Sequence, residues 1–485
     1  LKNATFGVMV LSRFWLVIFI SSLVFVFFGL AFNKEYSIDR MVNGTKESPI
    51  LIKECYLSEL PKSIQDTLFV AENLVVNKNT KDPDTTYNLA KNQVKMYSGV
   101  QKTDGLLPTA KNTITDIILP LLAYLALFAG LMQLLIDSGA AEGMAKWLSP
   151  FFVKVFPSVP KNHPSISYMT LNFAANFLGL DSAATPFGLK AMESLQEINP
   201  DKERASDAQI MFLCLHAAGL TLIPTSIIGY RAAANATSPA DVMLPCIVTS
   251  FIGTLAALII VGIRQKVNLL NGLLIAVVFS IIGAMLGLLF YINSLDVIAK
   301  NHFTGNFSGV LLLGIIGLIL AYAFAKEKRF REKNTTVFDA FVTGAKHGMQ
   351  TAVTIFPYVL GMLVAISVFR NSGMFELLSQ GITWLFSHAG LSKEITDALP
   401  VAMLRPFSSG GSRGFMLDAM NVYGPDSLTG RLSCIFQCSA ETTFYVVAVY
   451  FGSVKVANTR YTLPTMLLVD LICVIAAIFV ALWFF

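Results

Sequence analysis

An all-α polytopic membrane fold is what this sequence predicts: about nine transmembrane helices, two re-entrant broken-helix segments in inverted repeats, and one small soluble insert. Three observations lead there. Of 485 residues, 54% are apolar and 14% charged, whereas a soluble chain carries about 25% charged residues. Mean hydropathy is +0.62. Apolar runs of spanning length recur along the chain, and at about 20 residues each, nine of them occupy about 180 residues. The same figures exclude a soluble multidomain enzyme, a disordered chain and a fibrous repeat. The net charge of +5 is too dilute to imply a nucleic-acid partner; its placement sets topology instead.

The first run, Phe14 to Phe32, follows Lys2 and Arg13. It is longer than a signal-peptide core, so an anchor over 1–32 is favoured, although Gly29-Leu30-Ala31 resembles a cleavage site. Residues 33–112 are polar, with prolines at 49, 61, 83 and 108, and form an extracytoplasmic insert, marginally stable alone. Further spans are expected at 114–136, 208–230, 242–262, 268–292, 307–325, 350–369, 431–452 and 463–485. The stretches 164–190 and 399–420 are apolar but interrupted by Gly, Pro or charge near their middles. The six cysteines, at 55, 214, 246, 434, 438 and 473, include no C-x-x-C pair. Cys434 and Cys438 lie one helical turn apart, as a metal pair or, more often in membrane helices, as small apolar residues.

Lys326 to Lys333 is the densest basic loop and belongs on the cytoplasmic side. Alternation then places 137–163, 190–207, 264–266 and 455–460 with it, and the N-terminus also. The insert, 231–241, 293–306 and 371–398 fall outside, in a bacterial inner membrane. Segment 164–190 therefore starts and ends on the cytoplasmic side, while 399–420 dips in from outside. Irregular backbone at that depth requires surrounding protein or a cavity.

The two interrupted segments occupy corresponding places. Ser138-Gly139 matches Ser372-Gly373, Leu189-Lys190-Ala191-Met192 matches Leu417-Asp418-Ala419-Met420, and His216 to Arg231 aligns with Cys438 to Ser453. Five spans separate the starting points of the two copies, so the copies are inverted across the membrane. Paired broken segments in inverted repeats point to a secondary transporter with its site near the midplane. The organisation is an anchor (1–32), the insert (33–112), a first repeat (113–265), two linking helices and the basic loop (266–334), and a second repeat (335–485).

Candidate site residues cluster at the breaks. Asn172 and Asn176 share a helical face with Ser165 and Tyr168, and Gly179-Leu180-Asp181-Ser182 with Thr185-Pro186 interrupts the helix. Free carbonyls and N–H groups at such ends suit a cation and an anion respectively. The plainer role for the two asparagines is interhelical hydrogen bonding. In the second copy, Arg405, Ser408, Ser409 and Arg413 flank a Ser/Gly run whose backbone N–H groups suit a carboxylate or phosphate. Gln437, Glu441 and Tyr445 share a face beside Thr442, and Glu441 is either a substrate or proton group or the structural partner of Arg405. His216 is a functional group or an interhelical bridge. No metal site or cofactor is expected; coupling to H⁺ or Na⁺ is open through Asp181 or Glu441. Gly410-Gly411-Ser412-Arg413-Gly414 fits G-x-S-x-G but lacks the strand a nucleophile elbow needs, and no phosphate-binding loop occurs. The protein is thus expected not to be an enzyme.

The motifs Asn172 to Gly179, Ala183 to Met192 and Leu220 to Thr225 resemble spore maturation protein A. Arg405-Pro406 with its Ser/Gly run, Gly424 to Ser427, Glu441 to Tyr445 and Val449 to Ser453 resemble spore maturation protein B. The resemblance covers 111–262 and 335–485, as in a fusion of the two. It departs from the A pattern at Asp181-Ser182 and His216-Ala217-Ala218, and from the B pattern at Ala440. It implies a nucleoside-recognition (Gate) domain, distantly shared with concentrative nucleoside transporters and the membrane part of ferrous-iron transporters. Its expectation is a secondary transporter of a small polar or anionic, nucleoside-like solute in the lipid bilayer, with self-association left open. The alternative is a non-transporting envelope or spore-maturation scaffold that binds a partner through the insert.

Overall fold

The computed structural model describes residues 16–17, 19–27, 38–43, 49–71, 73–76, 85–90, 93–100, 105–179, 181–269, 271–295, 297–375, 377, 380–381 and 391–485. Most of the anchor and the 29–31 cleavage motif lie outside them; 19–27 is helical. The membrane part is all helix. The insert carries α1 (Ile38–Asn43), α2 (Lys62–Ala71) and four strands: β1 (Pro49–Tyr56), β2 (Asn73–Val76), β3 (Thr85–Ala90) and β4 (Gln93–Val100). They form an antiparallel sheet in the order β1-β4-β3-β2, folded over Leu57, Leu68, Tyr87 and Val94.

The remaining helices are α3 (Leu106–Ser138), α4 (Ala140–Val155), α5 (Pro164–Phe177), α6 (Asp181–Glu197), α7 (Asp207–Ala217), α8 (Thr225–Ala233), α9 (Met243–Arg264), α10 (Gly272–Asn293), α11 (Val297–Ala325), α12 (Glu327–Glu332), α13 (Val337–Asn371), α14 (Lys393–Leu404), α15 (Ser409–Tyr423), α16 (Leu428–Cys438), α17 (Thr443–Ser453) and α18 (Thr462–Phe484). Among the described residues six stretches are long and apolar enough to cross a membrane; of the other three expected spans, 14–32 and 268–292 include residues outside the described ones. The third, 208–230, differs for a physical reason. Gly219 takes φ +58° and Pro224 cannot continue a helix from the preceding turn, so this expected span is two short helices. The expected span 431–452 is among the six, within Leu428–Ser453, although its helix is interrupted at 439–442. In contrast, α3 starts earlier than expected, because Pro108 sits in its first turn, where its missing N–H costs nothing.

The two copies are visible in the order of elements: a long helix (α3, α13), a helical pair (α5/α6, α14/α15), a broken helix (α7/α8, α16/α17) and a closing helix (α9, α18). Both long helices end the same way. Ser138 Oγ bonds to the Leu135 carbonyl and Ser372 Oγ to that of Phe369, and Gly139 and Gly373 follow at φ +78° and +82°. Left-handed glycines close helices without a Cβ penalty.

Contacts between loops give the relative direction of the broken helices. Before α7, Ala205 N donates to the Asn458 carbonyl, beyond α17, and Arg460 meets Asp207 at 2.6 Å. Beyond α8, Arg231 meets Asp426, just before α16, at 3.0 Å. The start of each broken helix therefore lies beside the end of the other, and the pair runs antiparallel. Lys333 also meets Asp137. These bonds join loops that the charge rule puts on one side.

α3 and α13 pack along each other through small residues. A Cβ on Gly344 or Gly348 would fall inside contact distance of the α3 backbone at Ala129 and Leu125, the close approach that small residues permit between membrane helices. Gly348→Leu is expected to destabilise the protein at the upper end of the about 1–3 kcal/mol seen for overpacking. Thermal unfolding in detergent measures it, and an unchanged melting temperature would show that the two helices can separate freely.

Candidate functional site

The four helix breaks meet. Leu222 N donates to the Phe177 carbonyl at 2.8 Å, tying the α7/α8 break to the α5/α6 break. Phe444 N donates to the Pro406 carbonyl at 3.0 Å, the matching bond of the second copy. Glu441 N donates to the Ala217 carbonyl at 2.8 Å and joins the copies. Backbone groups freed where helices stop are thereby satisfied. Gly179 is needed for this: its φ is +75° and a Cβ there would stand 2.5 Å from the Ile223 carbonyl oxygen. Caps fix where the half-helices begin. Ser206 forms a capping box with Gln209, Ser427 accepts from Gly430 N and Ser408 from Gly411 N. Stacked rings of Phe407 and Phe444, 4.9 Å apart, brace the two second-copy breaks.

A cavity of about 230 Å³ lies between the copies. Of the predicted residues it is lined by Asn176, Thr185, His216, Arg405, Ser409, Arg413, Gln437, Glu441 and Tyr445. Two others stand directly behind it. Asn172, 1% exposed, donates from Nδ2 to the Ala184 carbonyl at 2.7 Å and lies 3.1 Å from His216 Nδ1 through its Oδ1. Thr442 Oγ1 accepts from Arg405 Nη1 at 3.2 Å. Ser408 serves as the α15 cap and does not line the cavity. The side chains of Asp181 and Ser182, at the start of α6, lie outside the described residues.

Charge is unevenly distributed around the cavity. Arg405 Nη1 also donates to Ser409 Oγ at 3.1 Å, and its Nε is buried with no partner among the described residues. Its Nη2 stands 3.8 Å from Glu441, whose side chain is 45% exposed. A pair that long and that wet contributes little, so Glu441 does not lock Arg405 in place. Arg413 has a Tyr230 ring 5.6 Å away and no acidic partner among the described residues. The second copy thus supplies two guanidinium groups against one carboxylate. The first copy supplies no Asp, Glu, Lys or Arg to the lining, only the His216 imidazole, amide and hydroxyl groups. Because the Asn172 amide is oriented by Ala184, its oxygen faces His216, and Nδ1 must carry the proton that joins them. His216 Nε2 has no partner among the described residues. Asn176 Nδ2 lies 2.8 Å from the same Nδ1; one N–H cannot also accept, so the Asn176 amide is oriented with its oxygen there.

Sequence patterns did not place Tyr230, Tyr450, Thr221, Thr225 and Ser226 in the site, although they also line the cavity, as does Cys438, expected as half of a metal or apolar pair. The available signal was Gly219 and Pro224 within an apolar run: taken as a break, they turn Thr221 and Thr225 toward the other break. Tyr450 comes from α17 to pack on His216, ring centres 4.8 Å apart. Cys434 contacts Met420. Among the described residues no group of three or more His, Cys, Asp or Glu is placed to hold a metal ion. Ser412 is fully buried inside α15, where its hydroxyl bonds to the Val401 carbonyl and to Gln437.

The nucleoside-recognition family, Gate, matches residues 118–234 and 352–457, bracketing the two sets of breaks. Spore maturation protein B of Bacillus subtilis (strain 168) is 41% identical over 148 residues, 30% of this chain and 82% of that protein. The chain belongs to the spore maturation A/B family of Gate proteins. Spore maturation protein A of the same organism is 38% identical over 151 residues, 31% of this chain and 76% of that protein. No solved structure matches significantly. In this Gate protein the cavity is therefore built by both family-matched segments, and neither lines it alone.

Proposed function

We propose that this Gate protein is a secondary transporter of a small polar or anionic, nucleoside-like solute across the bacterial inner membrane. Its N-terminus and the Lys326 to Lys333 loop are cytoplasmic, and residues 33–112 are extracytoplasmic. The observation that carries this is the cavity at the meeting of four helix breaks, with Arg405 and Arg413 on one wall and His216 and Asn176 on the other. Arginines incompletely paired with acid suit a carboxylate or phosphate. The imidazole and amides suit neutral donors and acceptors. Discontinuous helices in inverted copies are the architecture that lets a site face either side in turn. The chain carries no nucleotide-hydrolysis motif, and the Ser412 hydroxyl is taken up by structural bonds, which supports a non-enzymatic role.

Purified protein is tested by thermal unfolding with uridine, uridine 5′-monophosphate and succinate. A ligand present at about 100 times its Kd adds about 2.7 kcal/mol. A saturable rise is expected with one of them, lost in Arg413→Ala without a fall in the unliganded melting temperature. No rise with any, in protein whose Arg413→Ala variant melts identically, would favour a scaffold.

A further inference from the structure

α18 is an apolar helix with one charge in its interior, Asp470, which is 9% exposed. Asp470 Oδ2 accepts from Thr443 Oγ1 at 2.6 Å. Among the described residues no Lys, Arg or His pairs with it. Two other buried carboxylates here are compensated: Asp241 by Arg231 and Arg431, Asp418 by Arg370. An intramembrane carboxylate without a countercharge is expensive when ionised and is a functional group by default.

Its position links it to the cavity. Thr443 opens α17 at the second-copy break. Its neighbour Thr442 accepts from Arg405 Nη1, and Glu441, next in line, lines the cavity. Two hydrogen bonds on adjacent threonines thus connect Arg405 to Asp470. Close by, the carbonyls of Ala218 and Ser439, at the C-terminal ends of α7 and α16, both approach Gly253 of α9 within 3.8 Å of where its Cβ would stand, and Cys473, one turn from Asp470, packs on the same glycine. Helix C-termini carry partial negative charge, which favours added positive charge.

We propose that Asp470 is the proton-carrying group of this protein, linked to cavity occupancy through Thr443, Thr442 and Arg405. Its role in transport rests on the function proposed above; its titration does not. The carboxylate takes one proton from water on one side and returns it on the other, as α17 moves with Thr443. A solute anion that draws Arg405 away from Thr442 loosens the element carrying Asp470's partner.

Other charges on the helices packed against α18 stand at helix ends and are engaged there: Arg264 over the Tyr461 ring, Arg431 with Asp241, and Asp207 with Arg460. The titratable groups nearer its middle are Cys473, Cys246 on α9, Cys434 and Cys438 on α16, Tyr445 and Tyr450 on α17, and Cys214 and His216 on α7. α10 and α11 add Tyr291 and Tyr322. Arg405, at the α14/α15 break, is the cation linked to Asp470 by the threonine pair.

The full-length protein in lipid nanodiscs is titrated while its infrared protonated-carboxyl band is recorded. A band that loses intensity as pH rises, vanishes in Asp470→Asn and is displaced but retained in Asp470→Glu is expected. A titrating band unchanged in Asp470→Asn would overturn the proposal, as would a titration that requires sodium in place of choline. In proteoliposomes, an inward proton gradient is expected to accelerate labelled uridine uptake severalfold, and Asp470→Asn to lose that acceleration. Full acceleration in Asp470→Asn overturns the coupling. If no variant takes up uridine, the transport function has failed for that solute, and the infrared titration alone decides Asp470.

Discussion

Arg231→Ala is expected to cost the protein about 3–5 kcal/mol, the effect of removing one partner from a buried ionic network. Against a total stability of about 5–15 kcal/mol, that leaves a barely folded chain. Arg231 is fully buried. It meets Asp241 at 2.8 Å and Asp426 at 3.0 Å, and donates to the carbonyls of Pro425 and Pro239. Asp426 also accepts from Thr237 N, and Arg431 shares Asp241. Without Arg231, Asp426 is left with a backbone N–H and Asp241 with Arg431 alone. The loops that anchor the end of α8 to the start of α16 then separate. Thermal unfolding of the variant measures this. Arg231→Lys is expected to recover only part, because one ammonium cannot reproduce the fork that spans two carboxylates and two carbonyls. A variant that melts with the wild type would show that Arg231 does not hold these loops.

Arg405→Ala is expected to weaken binding of an anionic solute by about ten- to a hundredfold, the roughly 1.5–3 kcal/mol of hydrogen bonds to a charged group. Its guanidinium reaches Ser409, Thr442 and, at long range, Glu441, and its Nε has no partner among the described residues. The unliganded protein is expected to tolerate the change better than Arg231→Ala, because of the groups left behind Ser409 lines the cavity and Glu441 is half exposed. Titration of uridine 5′-monophosphate by calorimetry tests it. Equal affinity in wild type and variant would remove Arg405 from the binding site. If Arg405→Ala fails to fold, its role is structural, and Arg413→Ala decides whether an anion is bound at all.

Much of the architecture was legible in the sequence because lipid imposes simple rules. Long apolar runs mark spanning helices, and loop charge orders them. The breaks at 178–180 and 405–408 carried Gly, Pro and small polar residues that stop helices locally. The breaks at 218–224 and 439–442 were harder to see, because their flanks are apolar enough to pass for one span. Asp470 escaped notice for a related reason: one carboxylate hardly alters the hydropathy of a 23-residue helix. The insert's sheet also went unforeseen, since short strands in a polar segment lack a spanning signal.

Nine of the fourteen candidate residues line one cavity, but their partners were not legible in the sequence. Glu441 was expected either to lock Arg405 or to face solute, and only its 3.8 Å separation and 45% exposure distinguish the two. Asn172 and Asn176, alike in sequence, differ because α6 turns back to offer the Ala184 carbonyl to one of them.

By itself, then, the sequence determined that this is a membrane protein of two related halves, and where polar chemistry interrupts its apolar segments. These are local properties: hydropathy, helix-stopping residues and caps act over a few turns. The tertiary structure alone decided which breaks meet, which charges are compensated and which face a cavity. Those depend on contacts between residues some two hundred positions apart, as Arg231 with Asp426 or Ala217 with Glu441, and no local preference encodes such pairings.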